Sequence, residues 1–167
     1  GISVITEAIR VLANTNYKPK NDISFMAYAA EEVGLRGSME IAKEYADANI
    51  IVKGVLQIDG VNFNGSDIKI ALIDDNTDQK QNEFLGTLID KYLKVSWGYD
   101  TCEYACSDHY SWSYFGYTAS YPFESKIAEE NPRIHTADDT LVVSKGSADH
   151  AVHFAKLALA YIIELDK

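Results

Sequence analysis

Apolar positions change their spacing along the first third of the chain. Across residues 2–14 they recur at i, i+3, i+4 and i+7, which predicts an amphipathic helix. The run ISFMAYAA at 23–30 is almost wholly apolar, as is typical of a strand buried on both faces. The run IIVKGVLQI at 50–58 predicts a second buried strand for the same reason.

The later part of the chain continues this alternation of strands and helices. Further strands are predicted at 68–73 and 118–123, and further helices at 39–46, at 85–92 and in a closing stretch around 154–162. Polar loops separate them at 98–109 and 125–139. Alternating strands and helices predict an α/β fold with a mostly parallel central sheet and helices on both of its faces, a three-layer α/β/α arrangement.

Length and composition limit the class of protein. The 167 residues are typical of one domain, and the 47% hydrophobic and 24% charged shares exclude a mainly disordered chain. The chain opens inside the first predicted helix with no residue before it to cap that helix. We therefore expect residues 1–167 to be a single domain that lacks its N-terminal part.

The charge balance favours cationic ligands. There are 15 Lys and Arg against 25 Asp and Glu, a net charge of −10. An acidic surface repels phosphate backbones and anionic membranes, so neither nucleic acid nor a membrane is an expected partner. No apolar run reaches the roughly 18 residues that a membrane span needs. A metal ion or an amine suits this field better.

Carboxylates follow the predicted buried strands directly. Glu31 and Glu32 come after the first strand, and Asp59 comes after the second. Ligands in open α/β sheets bind beyond the carboxyl ends of strands, so these residues are candidates to gather around a divalent cation. The alternatives are a solvated acidic loop that caps the next helix for the glutamates, and an ordinary turn residue for the aspartate.

A histidine in a distant polar loop extends this candidate set. Wide sequence spacing between His135 and the carboxylates suits catalytic zinc better than structural zinc. Asp138 or Asp139 could orient its imidazole. The alternative is an exposed loop histidine. Weaker candidates are the other three histidines, His109, His150 and His153.

The two cysteines, Cys102 and Cys106, lie four residues apart. Two thiols without a second pair are poor evidence for a metal site, and nothing marks either one as an activated nucleophile. A local disulfide is favoured, and it would indicate an oxidising compartment. The sequence contains no nucleophile elbow, P-loop or dinucleotide fingerprint.

Five motifs together resemble one known family. They are MAYAAEEVGLRGS at 26–38, QID at 57–59, DTCEYACSDH at 100–109, PFESK at 122–126 and NPRIH at 131–135. In this order, and over essentially the whole chain, they resemble the carboxyl-terminal portion of the secreted bacterial leucyl aminopeptidases of the M28 zinc metallopeptidase family, the type found in Vibrio.

The resemblance implies an α/β fold of the zinc exopeptidase type, with two zinc ions at the strand ends. Glu31 matches the general base that takes a proton from the attacking water. Glu32 and His135 match ligands of one zinc, and Asp59 matches a ligand of the other. Tyr104 matches a residue that stabilises the tetrahedral oxyanion.

The resemblance also implies a disulfide, a substrate pocket and a location. Cys102 and Cys106 match a disulfide that braces their loop, and the protein is expected to be secreted and extracellular. Positions that line the apolar pocket for the substrate's first side chain are Ile73, Cys102, Tyr104, Cys106, Phe123, Ile127 and Ile134. Gly60, Tyr121 and Glu130 depart from the larger or apolar residues usual in that pocket, so the preferred side chain is open.

The expected function is a zinc metalloaminopeptidase that removes an N-terminal, preferably large apolar, residue from a peptide with a free N-terminus. A bridging aspartate and a further histidine ligand of the family lie upstream of the position that matches Gly1. We therefore expect residues 1–167 alone to bind zinc weakly and to hydrolyse poorly, with the missing N-terminal segment as a partner. The alternatives are a non-catalytic scaffold of the same fold and a metal-independent hydrolase that uses paired carboxylates.

Overall fold

The computed structural model describes all 167 residues, Gly1–Lys167. From the second strand onward, its strands and helices alternate along the chain. In chain order they are α1 (Ile2–Asn14), α2 (Arg36–Asp47), β1 (Val55–Leu56), β2 (Ile70–Ile73), α3 (Gln79–Leu88), β3 (Trp97–Asp100), α4 (His109–Tyr114), β4 (Ala119–Phe123) and α5 (Ala151–Leu165). Short 3₁₀ turns occupy Glu31–Val33 and Ile127–Glu129, and a π-helical turn occupies Ile89–Leu93.

The strands form one four-stranded sheet in the order β1-β4-β2-β3. β1 runs parallel to β4, and β2 runs parallel to β3, whereas β2 and β4 are antiparallel. Two of the three pairings are therefore parallel, which confirms the predicted α/β fold with a mostly parallel sheet.

Alternate residues of the central strand β2 face opposite layers, as the period of two in a strand requires. Ile70 and Leu72 belong to the main core with α1, α3 and α5. Ala71 and Ile73 belong to a second cluster beneath the candidate site. All four residues are buried, which explains the continuous apolar run in the sequence.

Helices α2 and α4 cover the other face of the sheet. Trp112 of α4 is buried against Ala42 of α2 and Ala119 of β4. Its indole meets the ring of Tyr45 edge-on, with centroids 5.2 Å apart, and its N–H donates to the hydroxyl of Tyr28 at 2.8 Å. Helices therefore lie on both faces, and the three-layer expectation is confirmed.

The predicted strand at 23–30 is wrong, and the predicted strand at 50–58 is too long. Residues 23–30 carry no strand hydrogen bonds, and only Val55–Leu56 of the second run pairs with a neighbour. A cavity of about 850 Å³ lies between the two runs. Apolar patterning records burial, whereas a strand also needs a neighbouring backbone to bond with.

The region predicted as a loop at 98–109 overlaps two regular elements that the sequence pattern did not predict. Trp97–Asp100 pairs in parallel with β2, and a short helix begins at His109. The ring of Trp97 packs directly on the backbone of Gly86, where a Cβ would lie 2.3 Å from the indole. This contact joins residues that no local pattern links.

The structure contains no helix with the length and apolar character needed to cross a membrane.

Candidate active site

Glu31 and Glu32 lie on a tight turn between the unpaired segment 23–30 and α2. Ala30 has φ 60° and ψ 36°, and Gly34 has φ 102°, so left-handed residues bracket the 3₁₀ turn. Gly37 fixes the turn from the other side, because its N–H donates to the Ala29 carbonyl at 3.0 Å and a Cβ there would lie 2.5 Å from that oxygen. A left-handed Ala30 is a strained conformation of the kind that persists at functional sites.

Glu32 meets His135 from the distant polar loop. Oε1 of Glu32 and Nε2 of His135 are 3.2 Å apart, with side-chain exposures of 69% and 61%. An exposed pair of this kind contributes little to stability. His135 itself has φ 62°, so its backbone is also left-handed. The structure thus brings together two of the predicted zinc ligands.

Asp59 is held by a short chain of hydrogen bonds. Ser107 Oγ donates to Asp59 Oδ2 at 2.7 Å and accepts from the Gln57 side-chain amide at 3.1 Å. Ser107 is fully buried, and Gln57 nearly so. The Asp59 carboxylate is therefore fixed rather than free to turn, which argues against a simple turn residue.

The environment of Glu31 suits a proton acceptor. Burial raises the pKa of Glu31 to about 7, and the negative charges of Asp59, Glu32 and Asp108 push it in the same direction. His135 opposes these effects. A carboxyl group whose pKa lies near neutrality can take a proton and release it again at physiological pH.

Cys102 and Cys106 form a disulfide, as predicted. The Asp75 carboxylate accepts the backbone N–H groups of Cys102 and Glu103, each at 2.9 Å. The loop presents Tyr104, whose side chain is 65% exposed, at the candidate site. Partial burial raises the pKa of Tyr104, and the charges of Glu130, Glu31 and Glu32 raise it further, so its hydroxyl stays protonated and can donate.

These groups share one open cavity of about 1030 Å³. Its lining contains the predicted base, Tyr104, all three predicted metal ligands and five of the predicted pocket residues, which are Cys102, Cys106, Phe123, Ile127 and Ile134. Ile73 does not line the cavity. It is fully buried behind the wall, in a cluster with Cys102 and Phe123.

Sequence reasoning gave no role to several polar residues behind this site. Asp108 is buried and hydrogen-bonded to Ser38, whose hydroxyl lies 2.7 Å from that of Ser111. Burial raises the pKa of Asp108. Ser107 and Asp108 belong to the motif DTCEYACSDH at 100–109. The motif therefore marks both residues, but it does not show which residues they contact.

The weaker histidine candidates lie apart from the cavity chemistry. His109 is fully buried, stacks on Tyr121 with ring centroids 5.0 Å apart, and has no hydrogen-bond partner for either ring nitrogen. His150 places Nε2 2.8 Å from the Glu124 carbonyl oxygen. Burial lowers the pKa of both.

The donor set fits part of a zinc site. Two atoms that each lie about 2.0–2.1 Å from a tetrahedral ion are about 3.3 Å apart. The 3.2 Å between Glu32 and His135 matches this spacing, and nitrogen and oxygen are donors that zinc accepts. No third His, Cys, Asp or Glu joins them in a metal-binding group. Residues 1–167 therefore supply a two-donor pair, with Asp59 separate from it.

Known proteins resemble this chain over nearly its whole length. The model of Peptidase family M28 matches residues 1–162. A probable leucine aminopeptidase of Arthroderma benhamiae is 37% identical over 170 residues, covering 99% of this chain and 46% of that protein. The crystal structure of LapB from Legionella pneumophila superposes with a TM-score of 0.93 at 39% identity, covering 99% of this chain and 45% of that one.

A more distant structure shares the fold. BSAP, a zinc aminopeptidase from Bacillus subtilis, superposes with a TM-score of 0.75 at 21% identity and covers 99% of this chain. The chain spans less than half the length of the curated relative and of the LapB structure.

Proposed function

The chain belongs to peptidase family M28, and from this premise we propose that it carries part of the active site of a zinc-dependent aminopeptidase. The resemblance predicted from the sequence is thus confirmed at the level of the family. The Vibrio type, and the assignment of residues 1–167 to the carboxyl-terminal portion of one incomplete domain, stay predictions.

One observation carries this proposal. Glu32 and His135, remote along the chain, meet at 3.2 Å on the same cavity that holds Glu31, Asp59 and Tyr104. The exposed pair adds little to folding, so stability does not explain why the two residues meet. A zinc ion bound by the pair is the proposed reason. Catalytic zinc is held by nitrogen and oxygen donors drawn from separate parts of a chain.

The residues of the chain divide the proposed chemistry between them. Glu31 accepts a proton from the attacking water and passes it to the leaving amine, which its pKa of about 7 allows. Tyr104 donates a hydrogen bond to the developing oxyanion. Asp59, held by Ser107, would supply a ligand of a second zinc ion, separate from the Glu32–His135 pair. A bound zinc ion supplies Lewis acidity and lowers the pKa of water.

The cavity wall supports a substrate with a free N-terminus and a large apolar side chain. Phe123, Ile127, Ile134 and the Cys102–Cys106 disulfide give it an apolar face. The surrounding carboxylates attract the α-ammonium group. The disulfide also supports secretion, because such bonds persist in oxidising compartments.

Zinc titration and turnover together test this proposal. Because only two donors come together, we expect the 167-residue chain to bind zinc weakly and to hydrolyse leucine p-nitroanilide slowly. Activity is expected to disappear on chelation. Glu31→Gln should abolish turnover and leave zinc affinity unchanged, whereas Glu32→Gln should lower zinc affinity.

The adjacent glutamates act as controls for each other, because both changes remove one negative charge from the same turn. Loss of zinc binding in Glu31→Gln would make Glu31 a ligand instead of a base. Unchanged zinc affinity in Glu32→Gln would remove the metal site as proposed. Turnover that survives chelation would favour a hydrolase that needs no metal.

A further inference from the structure

The cavity is rich in carboxylates and contains no lysine or arginine. Six acidic side chains line it, and His135 is its only basic residue. The six acidic residues are Glu31, Glu32, Asp59, Glu124, Glu130 and Asp139. A cationic group in the cavity would therefore meet no competing positive side chain except His135.

Most of these carboxylates already have partners within the protein. Glu124 accepts the backbone N–H groups of Asn62 and Phe63 at 2.5 and 2.7 Å. Asp139 accepts the Asn131 amide at 2.8 Å. Asp59 is held by Ser107 and Glu32 by His135. The contacts of Glu124, Asp139 and Asp59 hold the walls of the cavity, whereas the exposed Glu32–His135 pair contributes little to stability.

Glu31 and Glu130 are the two carboxylates without a partner. Neither side chain takes part in any ion pair or hydrogen bond of the structure, although Glu130 is only partly exposed. Glu31 is already assigned to proton transfer. Glu130 follows the 3₁₀ turn Ile127–Glu129, and its charge makes no contact that would stabilise the fold.

Glu130 lines the same cavity as Tyr104. Among nearby charges, Glu130 acts most strongly on the Tyr104 hydroxyl, followed by Glu31 and Glu32. The apolar residues Ile127 and Ile134 line the same cavity as Glu130.

We propose that Glu130 makes this pocket select an N-terminal residue with a long, positively charged side chain, as in lysine or arginine. The methylene groups of such a side chain would lie on the apolar wall while the charged end reaches Glu130, as long cationic side chains do elsewhere. This inference rests on the proposed aminopeptidase function, and it replaces the expected preference for large apolar residues with one for long cationic residues.

A matched pair of small probes tests the selection. L-lysinamide and L-norleucinamide share the α-ammonium, the amide and a four-carbon stem, and only the first carries a terminal charge. We expect the ¹⁵N-labelled chain to bind lysinamide on the order of fivefold more tightly, the gain of one partly exposed ion pair. The shifts should centre on the amides of Ile127 and Glu130, and added salt should reduce the difference.

Two variants separate the role of Glu130 from general electrostatics. Glu130→Gln should bind both probes equally. Glu129→Gln removes the same charge one residue away, outside the cavity lining, and should keep the preference. Equal binding of both probes by the unmodified chain, absence of binding by either probe, or an unchanged preference in Glu130→Gln would each overturn the inference.

Turnover distinguishes this inference from the proposed function. Lysyl and norleucyl p-nitroanilides should show the same difference in KM, which Glu130→Gln removes. If neither is hydrolysed while the amides keep their difference in affinity, the function fails and the selection by Glu130 stands. If both are hydrolysed with equal KM, the function stands and the selection is refuted.

Discussion

Gly60 marks a place where the cavity wall tolerates no side chain. A Cβ at this position would lie 2.5 Å from Cε2 of Phe123 and 3.1 Å from its Cδ2. Non-bonded carbon atoms normally lie about 3.5–4.0 Å apart, so the change Gly60→Ala requires the ring to move by about 1 Å. Phe123 is only 4% exposed and packs on Tyr121, with ring centroids 5.7 Å apart.

The displaced ring has little room on its buried side. Overpacking of a dense core costs about 1–3 kcal/mol. For a chain of this size, each kcal/mol lowers the melting temperature by about 2–4 °C. We therefore expect Gly60→Ala to reduce the free energy of unfolding by about 2 kcal/mol and to lower the melting temperature by about 4–8 °C.

Urea unfolding followed by tryptophan fluorescence measures this change, and Gly98→Ala provides the control. A Cβ at Gly98 meets only Ile68 Cδ1, at 3.7 Å, which is an ordinary contact. The control should stay within about 0.5 kcal/mol of the unmodified chain. If Gly60→Ala is as stable as Gly98→Ala, the close approach of Phe123 to the Gly60 backbone is refuted.

Three further predictions concern buried or partly buried polar groups. Burial lowers the pKa of His109 to about 4. Between pH 6.5 and pH 4, the unfolded chain therefore binds a proton at this residue and the folded chain does not. Stability should fall by about 3 kcal/mol as pH drops from 6.5 to 4, and His109→Phe should remove that part of the pH slope in denaturant titrations. Tyr161→Phe removes the 2.8 Å bond to Gln81 Oε1 and should cost about 1–2 kcal/mol in urea unfolding, whereas no loss would show that this bond is unimportant. Asp78→Ala removes the cap on the Gln81 N–H at 2.8 Å and should cost about 1 kcal/mol; Asp74→Ala, at an exposed position, should be nearly neutral, and equal losses would refute the cap.

Several elements follow from local pattern alone. The helical spacing at 2–14 predicts α1 with the bounds that the structure has, and the closing periodic stretch lies within α5. The apolar runs at 68–73 and 118–123 contain β2 and β4. The two helices show their burial by periodic spacing and the two strands show it by a continuous apolar run, and a sequence displays both patterns directly.

The candidate site is a mixed case. Carboxylates placed directly after apolar runs indicate a shared edge, and Glu31, Glu32 and Asp59 do line one cavity. The sequence motifs led to the right family. Composition and motif could not show that Ser107 orients Asp59 or that Ile73 lies behind the wall, because both depend on contacts between segments far apart in the chain.

The sequence by itself determined which segments are apolar and which family the chain belongs to, and it supplied the candidate residues for the chemistry. The tertiary structure decided that residues 23–30 stay unpaired and that His135 reaches Glu32 at 3.2 Å. It also left Glu130 as a carboxylate without a partner on the cavity wall. Whether a backbone group finds a strand partner, and whether a charge finds an opposite charge, depends on which residues become neighbours in space. The sequence names each residue, but only the tertiary structure decides what lies next to it.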